Sequence, residues 1–331
     1  MRYSLLSKYR SELMGIAMIA VMLFHAQDLN LGLGVLNNLR SLGFGGVDVF
    51  VLLSGLGLAM SLTRRPREYG AFMSQRLWRI LPAYFVVMLP YTLCLYLAGK
   101  ATLSTFVWNS ALLNYWVHCE GSFNWYITGI MTLYVLTPPA VKLLRSRPGA
   151  RIPLLLGVTA GSFLVSQILM RDSWWYHLDI IYRVPIYTAG LVLGLHVAED
   201  RGFPLRDGIV WGASLVLGAV YALIRPSLGS YAQGAYIFAF TTIPVCLLFA
   251  WCMDKLPVKH LRAALRFLGE NSLEIYLLNV SFFSQTEFLR RFFDPGPGHY
   301  LYYAAAFALN ILLGWLLHRA VNAAVGALRA K

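Results

Sequence analysis

The chain has 331 residues, of which 58% are hydrophobic and only 13% are charged. Water-soluble domains carry about twice that fraction of charged residues, so the composition excludes an ordinary soluble protein and indicates a multi-span membrane protein. The formal net charge of +13 does not indicate nucleic-acid binding, because the basic residues concentrate on alternate loops between apolar segments.

Ten segments are long and apolar enough to cross a membrane, which takes about 17–25 residues each. We place them near residues 12–29, 43–62, 79–98, 125–144, 152–170, 178–197, 208–224, 234–253, 269–286 and 300–318. The apolar stretch 103–117 is short and interrupted by asparagine, so we expect an interfacial or re-entrant piece on the outer side. The sequence therefore predicts an all-α bundle of about ten transmembrane helices that forms one domain over residues 1–331.

Most of the 28 lysines and arginines lie on one side of this arrangement, together with both ends of the chain. The positive-inside rule then places the N- and C-termini in the cytoplasm. The first apolar segment has no clear small-residue cleavage site, so we expect it to remain as a span. A single compact set of spans suits the inner (plasma) membrane of a bacterium.

The four cysteines, Cys94, Cys119, Cys246 and Cys252, show no CxxC pairing, which predicts neither a disulfide framework nor a zinc site. His, Cys and Glu occupy positions 118–120, but three adjacent residues do not converge on one ion. We therefore expect no metal cofactor.

Two ionisable residues lie within the first two spans, His25 near the end of the first and Asp48 near the start of the second. Such residues are costly in hydrocarbon, so they indicate function by default. Helical rise places both at similar depth in the outer half of the membrane, where a carboxylate would orient an imidazole that acts as a base. The alternatives are that the pair only joins two helices, or that Asp48 caps its own helix.

Arg76 and Arg79 begin the third span in the segment RLWRILPAY, which ends at Tyr84. Arginines three residues apart share one helix face, and their planar guanidinium groups suit bidentate contacts with phosphate. The alternative is ordinary anchoring at the cytoplasmic surface.

These segments together resemble the membrane-bound acyltransferase 3 family. Members carry a histidine late in the first span, a second span similar to GVDVFVLLSG at residues 46–55, and a third similar to residues 76–84. Further similarities are WYI at residues 125–127 followed by Tyr134, RVP at 183–185, and LGENSLEIYLL at 268–278. The chain departs from many members at Met14, where they have arginine, at residues 128–130, which lack a glutamate, and at Asn279, where they have histidine.

The resemblance implies transfer of an acyl group, commonly acetyl, from cytoplasmic acyl-CoA to a hydroxyl of a cell-envelope carbohydrate or related acceptor. It implies that His25 is the general base, oriented by Asp48. A mechanism through a covalent acyl-histidine intermediate is the open alternative. Arg76, Arg79 and Tyr84 would hold the donor.

Substrate binding is assigned to a second group of residues. Trp125, Tyr126 and Tyr134 begin on the outer side, where aromatic faces stack on a sugar, and belt or packing roles are the alternative. Arg183 requires a partner within the membrane, which would be Glu274 or an anionic ligand. Acceptor specificity is expected in the outer loops 103–124, 171–177 and 287–299.

Two other functions are compatible with the residues. A proton-coupled transporter or flippase of a saccharide or small molecule would also use buried His and Asp, although no internal repeat is evident. A scaffold without catalytic activity is the third interpretation, because Met14 and Asn279 replace residues that many members of the family have. Membrane lipids are expected partners in every case, and the sequence leaves homo-oligomerisation open.

Overall fold

The computed structural model describes residues 2–118, 125–168, 179–224, 233–283 and 300–329. These residues are almost entirely helical, and within them there is no β-strand beyond an isolated bridge between Arg2 and Gly202. In chain order the helices are α1 (Ser4–Lys8), α2 (Arg10–His25), α3 (Gly34–Ser41), α4 (Gly46–Arg64), α5 (Tyr69–Leu97), α6 (Leu103–Ser110), α7 (Asn114–His118), α8 (Trp125–Ser146), α9 (Arg151–Ile168), α10 (Val184–Ala198), α11 (Leu205–Ile224), α12 (Gln233–Lys255), α13 (Lys259–Glu270), α14 (Ser272–Leu278) and α15 (Tyr300–Arg329).

Eight helical segments of the described chain are long and apolar enough to cross a membrane. They are Gly34–Arg64, Tyr69–Leu97, Trp125–Ser146, Pro148–Ser166, Ile181–Ala198, Leu205–Leu223, Tyr236–Lys255 and Tyr300–Arg329. The protein is therefore a multi-pass membrane protein, as predicted. The first and ninth predicted spans correspond to shorter helices, because α2 has 16 residues and Ser272–Phe283 is a short apolar helix that ends in a π-helical turn.

The predicted interfacial stretch 103–117 folds as the two short helices α6 and α7. Asn109 of α6 is buried, and its side-chain amide donates to the Thr92 hydroxyl of α5 at 3.3 Å. The asparagine that interrupts the apolar run therefore attaches this stretch to the neighbouring span, since a buried amide requires hydrogen-bond partners.

Two close helix pairs form the centre of the bundle. Helices α4 and α10 pack through Gly55 and Gly190, where an added Cβ would collide with the backbone of the facing helix. Helices α2 and α13 approach in the same way at Gly15 and Gly269. Small residues of this kind allow close backbone approach, which is how helices associate in lipid. Gly46 of α4 also packs on the backbone of Ala17 in α2, so α2, α4 and α10 together form the closely packed centre of the bundle.

Candidate active site

A cavity of about 650 Å³ lies at the end of the bundle that carries the N-terminus. Its walls come from α2, α4, α5, α8, α13, α14 and α15. Residues that line it include Arg10, Met14, Phe50, Ser54, Arg76, Arg79, Tyr126, Tyr134, Tyr276, His318 and Arg329. Exposed side chains of Arg79 and Arg329 are part of its lining, so the cavity opens to the surface there.

Three arginines define the charge of this cavity. Arg10 comes from the first turn of α2, while Arg76 and Arg79 come from one face of α5, a single turn apart. The Nε atoms of Arg10 and Arg76 are buried and have no hydrogen-bond partner among the described residues. Gly57 of α4 makes room for Arg10, because a Cβ at that position would lie 3.0 Å from the guanidinium carbon.

Arg79 contacts a buried carboxylate that belongs to Glu274. Its Nη1 lies 3.4 Å from Oε1 of Glu274, and Oε2 of the same carboxylate lies 3.1 Å from Nδ1 of His318. The Asn322 amide donates to Nε2 of His318 at 2.8 Å, which leaves the imidazole proton on Nδ1, toward the carboxylate. Glu274 is thus buried behind the cavity lining, in contact with Arg79 and His318, and the expectation that it pairs with Arg183 is wrong.

Tyrosines cover the inner part of the cavity. Tyr126 and Tyr134, assigned from the sequence to the outer side of α8, line this cavity and face Arg10. The ring of Tyr276 lies 5.2 Å from that of Tyr126, and its hydroxyl is buried with no hydrogen-bond partner in the described structure. Sequence reasoning did not select Tyr276, although it lies two residues after Glu274 in the same motif.

A second arginine site lies deeper in the bundle. Arg183 is 3% exposed and its Nε lies 3.3 Å from Oδ2 of Asp48, which is 2% exposed. Nη1 of Arg183 also donates to the backbone carbonyl of Asp179 at 2.9 Å, and the indole of Trp125 lies 4.9 Å from its guanidinium carbon. Trp125 therefore packs on a buried cation. The partner of Arg183 is Asp48 because Arg183 immediately precedes α10, the helix that packs most extensively against α4.

His25 is the last residue of α2. Its Nδ1 lies 2.9 Å from the carbonyl oxygen of Val21; a carbonyl only accepts, so Nδ1 carries the proton and Nε2 is left as an acceptor. The side chain of Asn279, in the π-helical turn after α14, lies beside the imidazole.

The structure does not bring His25 and Asp48 together. A Cβ on Gly46 would meet the carbonyl of Ala17, and one on Gly43 would meet that of Ala20, so α2 and α4 run antiparallel and Asp48 lies near the level of Gly15. His25 lies ten residues further along α2, roughly 15 Å away by helical rise. The expectation of equal depth is wrong because the second span begins near Gly34, which carries Asp48 deeper than a span beginning at residue 43.

Tyr84, assigned from the sequence to donor binding, lies away from the cavity. It is fully buried, and its hydroxyl donates to the backbone carbonyl of Asn109 at 2.8 Å. The side chain therefore fastens α6 to α5. Of the donor residues predicted from the sequence, the cavity brings together Arg76 and Arg79, and it adds Arg10 and Tyr276.

Other predictions concern residues that the structure leaves aside. Residues 119–124, 171–177 and 287–299 of the expected acceptor loops lie outside the described residues. Among the residues that are described, no group of three or more His, Cys, Asp or Glu side chains is arranged to hold a metal ion.

The family model described as the acyltransferase domain, of the acyltransferase 3 type, matches residues 13–319. The chain therefore belongs to the acyltransferase 3 family, and membership implies acyl transfer by a membrane-embedded enzyme. No curated protein and no solved structure matches this chain.

Proposed function

We propose that this protein transfers an acyl group, in the first instance acetyl, from cytoplasmic acyl-CoA to a hydroxyl of a cell-envelope carbohydrate or related acceptor. One observation carries the proposal: Arg10 and Arg76 present buried guanidinium nitrogens to a cavity without hydrogen-bond partners in the described chain. Buried cations in natural proteins are paired, so this cavity is suited to an anionic ligand.

Phosphate groups fit this arrangement best. Arg10, Arg76 and Arg79 come from two helices, so their planar donors can surround one anion and form bidentate contacts with its oxygens. Arg79 alone has a carboxylate partner, Glu274, at a long 3.4 Å. The cluster is therefore left with more positive than negative charge, as a diphosphate-bearing donor requires.

The inner tyrosines suit the rest of such a donor. Tyr126, Tyr134 and Tyr276 surround the inner part of the cavity with ring faces and hydroxyl groups. An amide-containing acyl-bearing arm needs both apolar contact and hydrogen-bond partners. The unpaired hydroxyl of Tyr276 is available for this role.

His25 is proposed as the general base. Met14 is a cavity residue on α2, and His25 lies eleven residues beyond it, roughly 16 Å by helical rise. A long flexible donor arm would therefore have to reach from the arginines past Tyr276 toward the opposite end of α2. The carbonyl of Val21 and the side chain of Asn279 hold the imidazole, with Nε2 as the proton acceptor.

The reaction at this base conserves atoms and protons. Nε2 of His25 takes the proton of the acceptor hydroxyl while the hydroxyl oxygen attacks the thioester carbonyl. The carbon–sulfur bond then breaks. The imidazolium returns the proton to the leaving thiolate. General-base assistance of this kind typically contributes about 10²–10⁴-fold. Asp48 and Arg183 are proposed to maintain the helix packing between cavity and base.

The test compares wild-type protein with His25→Ala and with His260→Ala, which removes an exposed histidine from α13. Purified protein in lipid vesicles is given acetyl-CoA labelled in the acetyl group, and both donor binding and loss of label from CoA are measured. We expect His25→Ala to bind the donor normally and to lose about 10²–10⁴-fold of the turnover, while His260→Ala keeps both. Turnover that persists in His25→Ala, or absence of donor binding by the wild type, would overturn the proposal.

A further inference from the structure

One face of α15 forms a continuous wall of the arginine cavity. His318, Val321, Asn322, Val325 and Arg329 all line it, at the three- and four-residue intervals that share a helix face. Between His318 and Arg329 the helix rises roughly 16 Å. The cavity is therefore elongated, with His318 near its inner part and Arg329 at its mouth.

Trp78 stands at this mouth opposite Arg329. Its side chain is 40% exposed, and the guanidinium carbon of Arg329 lies 5.5 Å from the centre of its ring. Trp78 follows Arg76 by two residues on α5, and side chains lean toward the N-terminus of their helix, which here is the open end of the cavity. An indole and a guanidinium thus lie together beside the three phosphate-binding arginines.

A similar pair elsewhere on α15 shows that this geometry alone does not make a cavity site. The guanidinium carbon of Arg319 lies 5.2 Å from the ring centre of Trp315, a separation close to that of Arg329 and Trp78. Neither Trp315 nor Arg319 is part of the cavity lining. The Trp315 pair is explained by anchoring at the membrane interface, whereas the Trp78 pair also adjoins a ligand cavity.

We infer that Trp78 and Arg329 form a stacking site for the nucleobase of a nucleotide-bearing acyl donor. A nucleobase has a flat π-face that stacks on aromatic rings and on guanidinium planes. In an acyl donor of the CoA type the base lies on the far side of the phosphates from the acyl arm. The cavity offers the same order, from Trp78 and Arg329 at the mouth, past the arginines, to the inner tyrosines.

This inference rests on the proposed function, and it names the part of the donor that the mouth of the cavity recognises. The binding energy of the base would be realised far from the reacting carbonyl. Trp78 would thus determine the preference for a complete nucleotide donor over its nucleotide-free fragment, without a part in the chemical step.

The experiment compares two ligands on purified full-length protein in nanodiscs: acetyl-CoA and acetyl-4′-phosphopantetheine, which keeps the acyl arm and one phosphate but lacks the base. We expect Trp78→Ala to weaken acetyl-CoA binding by about 5- to 150-fold, the effect of losing one base–aromatic stack. Its affinity for acetyl-4′-phosphopantetheine should match that of the wild type. Trp78→Phe retains most acetyl-CoA binding because it keeps a ring, and Trp315→Ala serves as the matched control.

Each outcome decides between the inference and the proposed function. Suppose that the wild type binds both ligands. If Trp78→Ala then keeps the wild-type affinity for both, or loses the same factor of affinity for both, the stacking site is wrong while the donor cavity stands. A loss that follows the content of anionic lipid in the nanodisc, and not the ligand, identifies Trp78 as an interfacial anchor and also overturns the inference. If the wild type binds neither ligand, the proposed donor and the stacking site fail together.

Discussion

Two groups of arginines in this bundle are buried in opposite ways. Arg183 lies between α4 and α10 with Asp48 at 3.3 Å, the carbonyl of Asp179 at 2.9 Å and the ring of Trp125 against its face. Arg10 and Arg76 lie at the wall of a cavity, and among the described residues no carboxylate pairs with either of them. Arg76 is also close enough to Arg10, Arg67 and Arg79 to be repelled by them.

The difference separates charge that stabilises the fold from charge that is kept for a ligand. A buried ion pair whose opposite charges compensate each other offers little charge to a ligand, and the loss of one partner destabilises the protein. A group of like charges is unfavourable in the empty protein and becomes favourable when an anion enters. The two groups should therefore respond to mutation in opposite ways.

The largest effect is expected at the buried ion pair of Arg183 and Asp48. Arg183→Leu leaves Asp48 as an unpaired buried charge, and the free energy of unfolding should fall by about 3–5 kcal/mol. The double variant Arg183→Leu/Asp48→Leu removes both charges and should recover a large part of this loss. Reversible unfolding in mixed micelles measures both, and losses that simply add would show that the two side chains do not form a coupled pair.

A smaller and opposite effect is expected at the cavity arginines, Arg10, Arg76 and Arg79. Arg76→Gln should weaken donor binding by about 10- to 150-fold, the loss of one charge-assisted interaction, while the unfolding free energy stays equal or rises because repulsion is relieved. Arg64→Gln removes the same charge from an exposed position that does not line the cavity. It is therefore the matched control for titration calorimetry with acetyl-CoA.

Loss of stability in Arg76→Gln comparable to that of Arg183→Leu would contradict the distinction between the two groups. Equal loss of binding in Arg64→Gln would instead attribute donor affinity to the overall charge of the surface.

The smallest effect is expected at an arginine pair near the surface. Arg151 donates to the carboxylate of Glu199, with one contact at 2.8 Å, and these hydrogen bonds lower the pKa of the Glu199 carboxyl below its ordinary value. Glu199 is 43% exposed, so solvent screening limits the pair to about 0.2–1 kcal/mol. Because the folded pKa is lowered, this stabilisation is present above the ordinary carboxyl range and is lost as pH falls through the lowered value.

Thermal unfolding of wild type and Glu199→Gln checks this prediction. The two proteins should differ at neutral pH and converge in acid. A difference in stability that grows on acidification would contradict the prediction, because it would mean that folding shifts the pKa of the Glu199 carboxyl in the opposite direction.

The sequence allowed the span pattern and the grouping of two cavity arginines to be predicted. Arg76 and Arg79 share a helix face whatever surrounds them, so local spacing was enough to place them together. Eight of the predicted spans were found as long apolar helices for the same reason, since length and hydropathy are local properties.

The contacts between helices could not be predicted in the same way. The pairing of Arg183 with Asp48 depends on the register of α4 against α10, which the glycine contacts determine. The separation of His25 from Asp48 depends on where the second span begins, and the nine residues between the predicted start at 43 and Gly34 correspond to roughly 13 Å of helical rise. Tyr84 belongs to the same motif as Arg76 and Arg79, and only the packing of α6 shows that its side chain points elsewhere.

The cavity is bounded on one side by α5 and α15, which lie toward the outside of the bundle. The apolar windows of Tyr69–Leu97 and Tyr300–Arg329 are only 39% and 22% buried, against 83% for Ile181–Ala198 at the centre of the bundle. Any widening of the cavity that moves α5 and α15 outward would therefore displace lipid, and the work would be done against the lateral pressure of the acyl chains. We therefore expect lipid composition to change the affinity of this cavity for an anionic ligand without any lipid entering it.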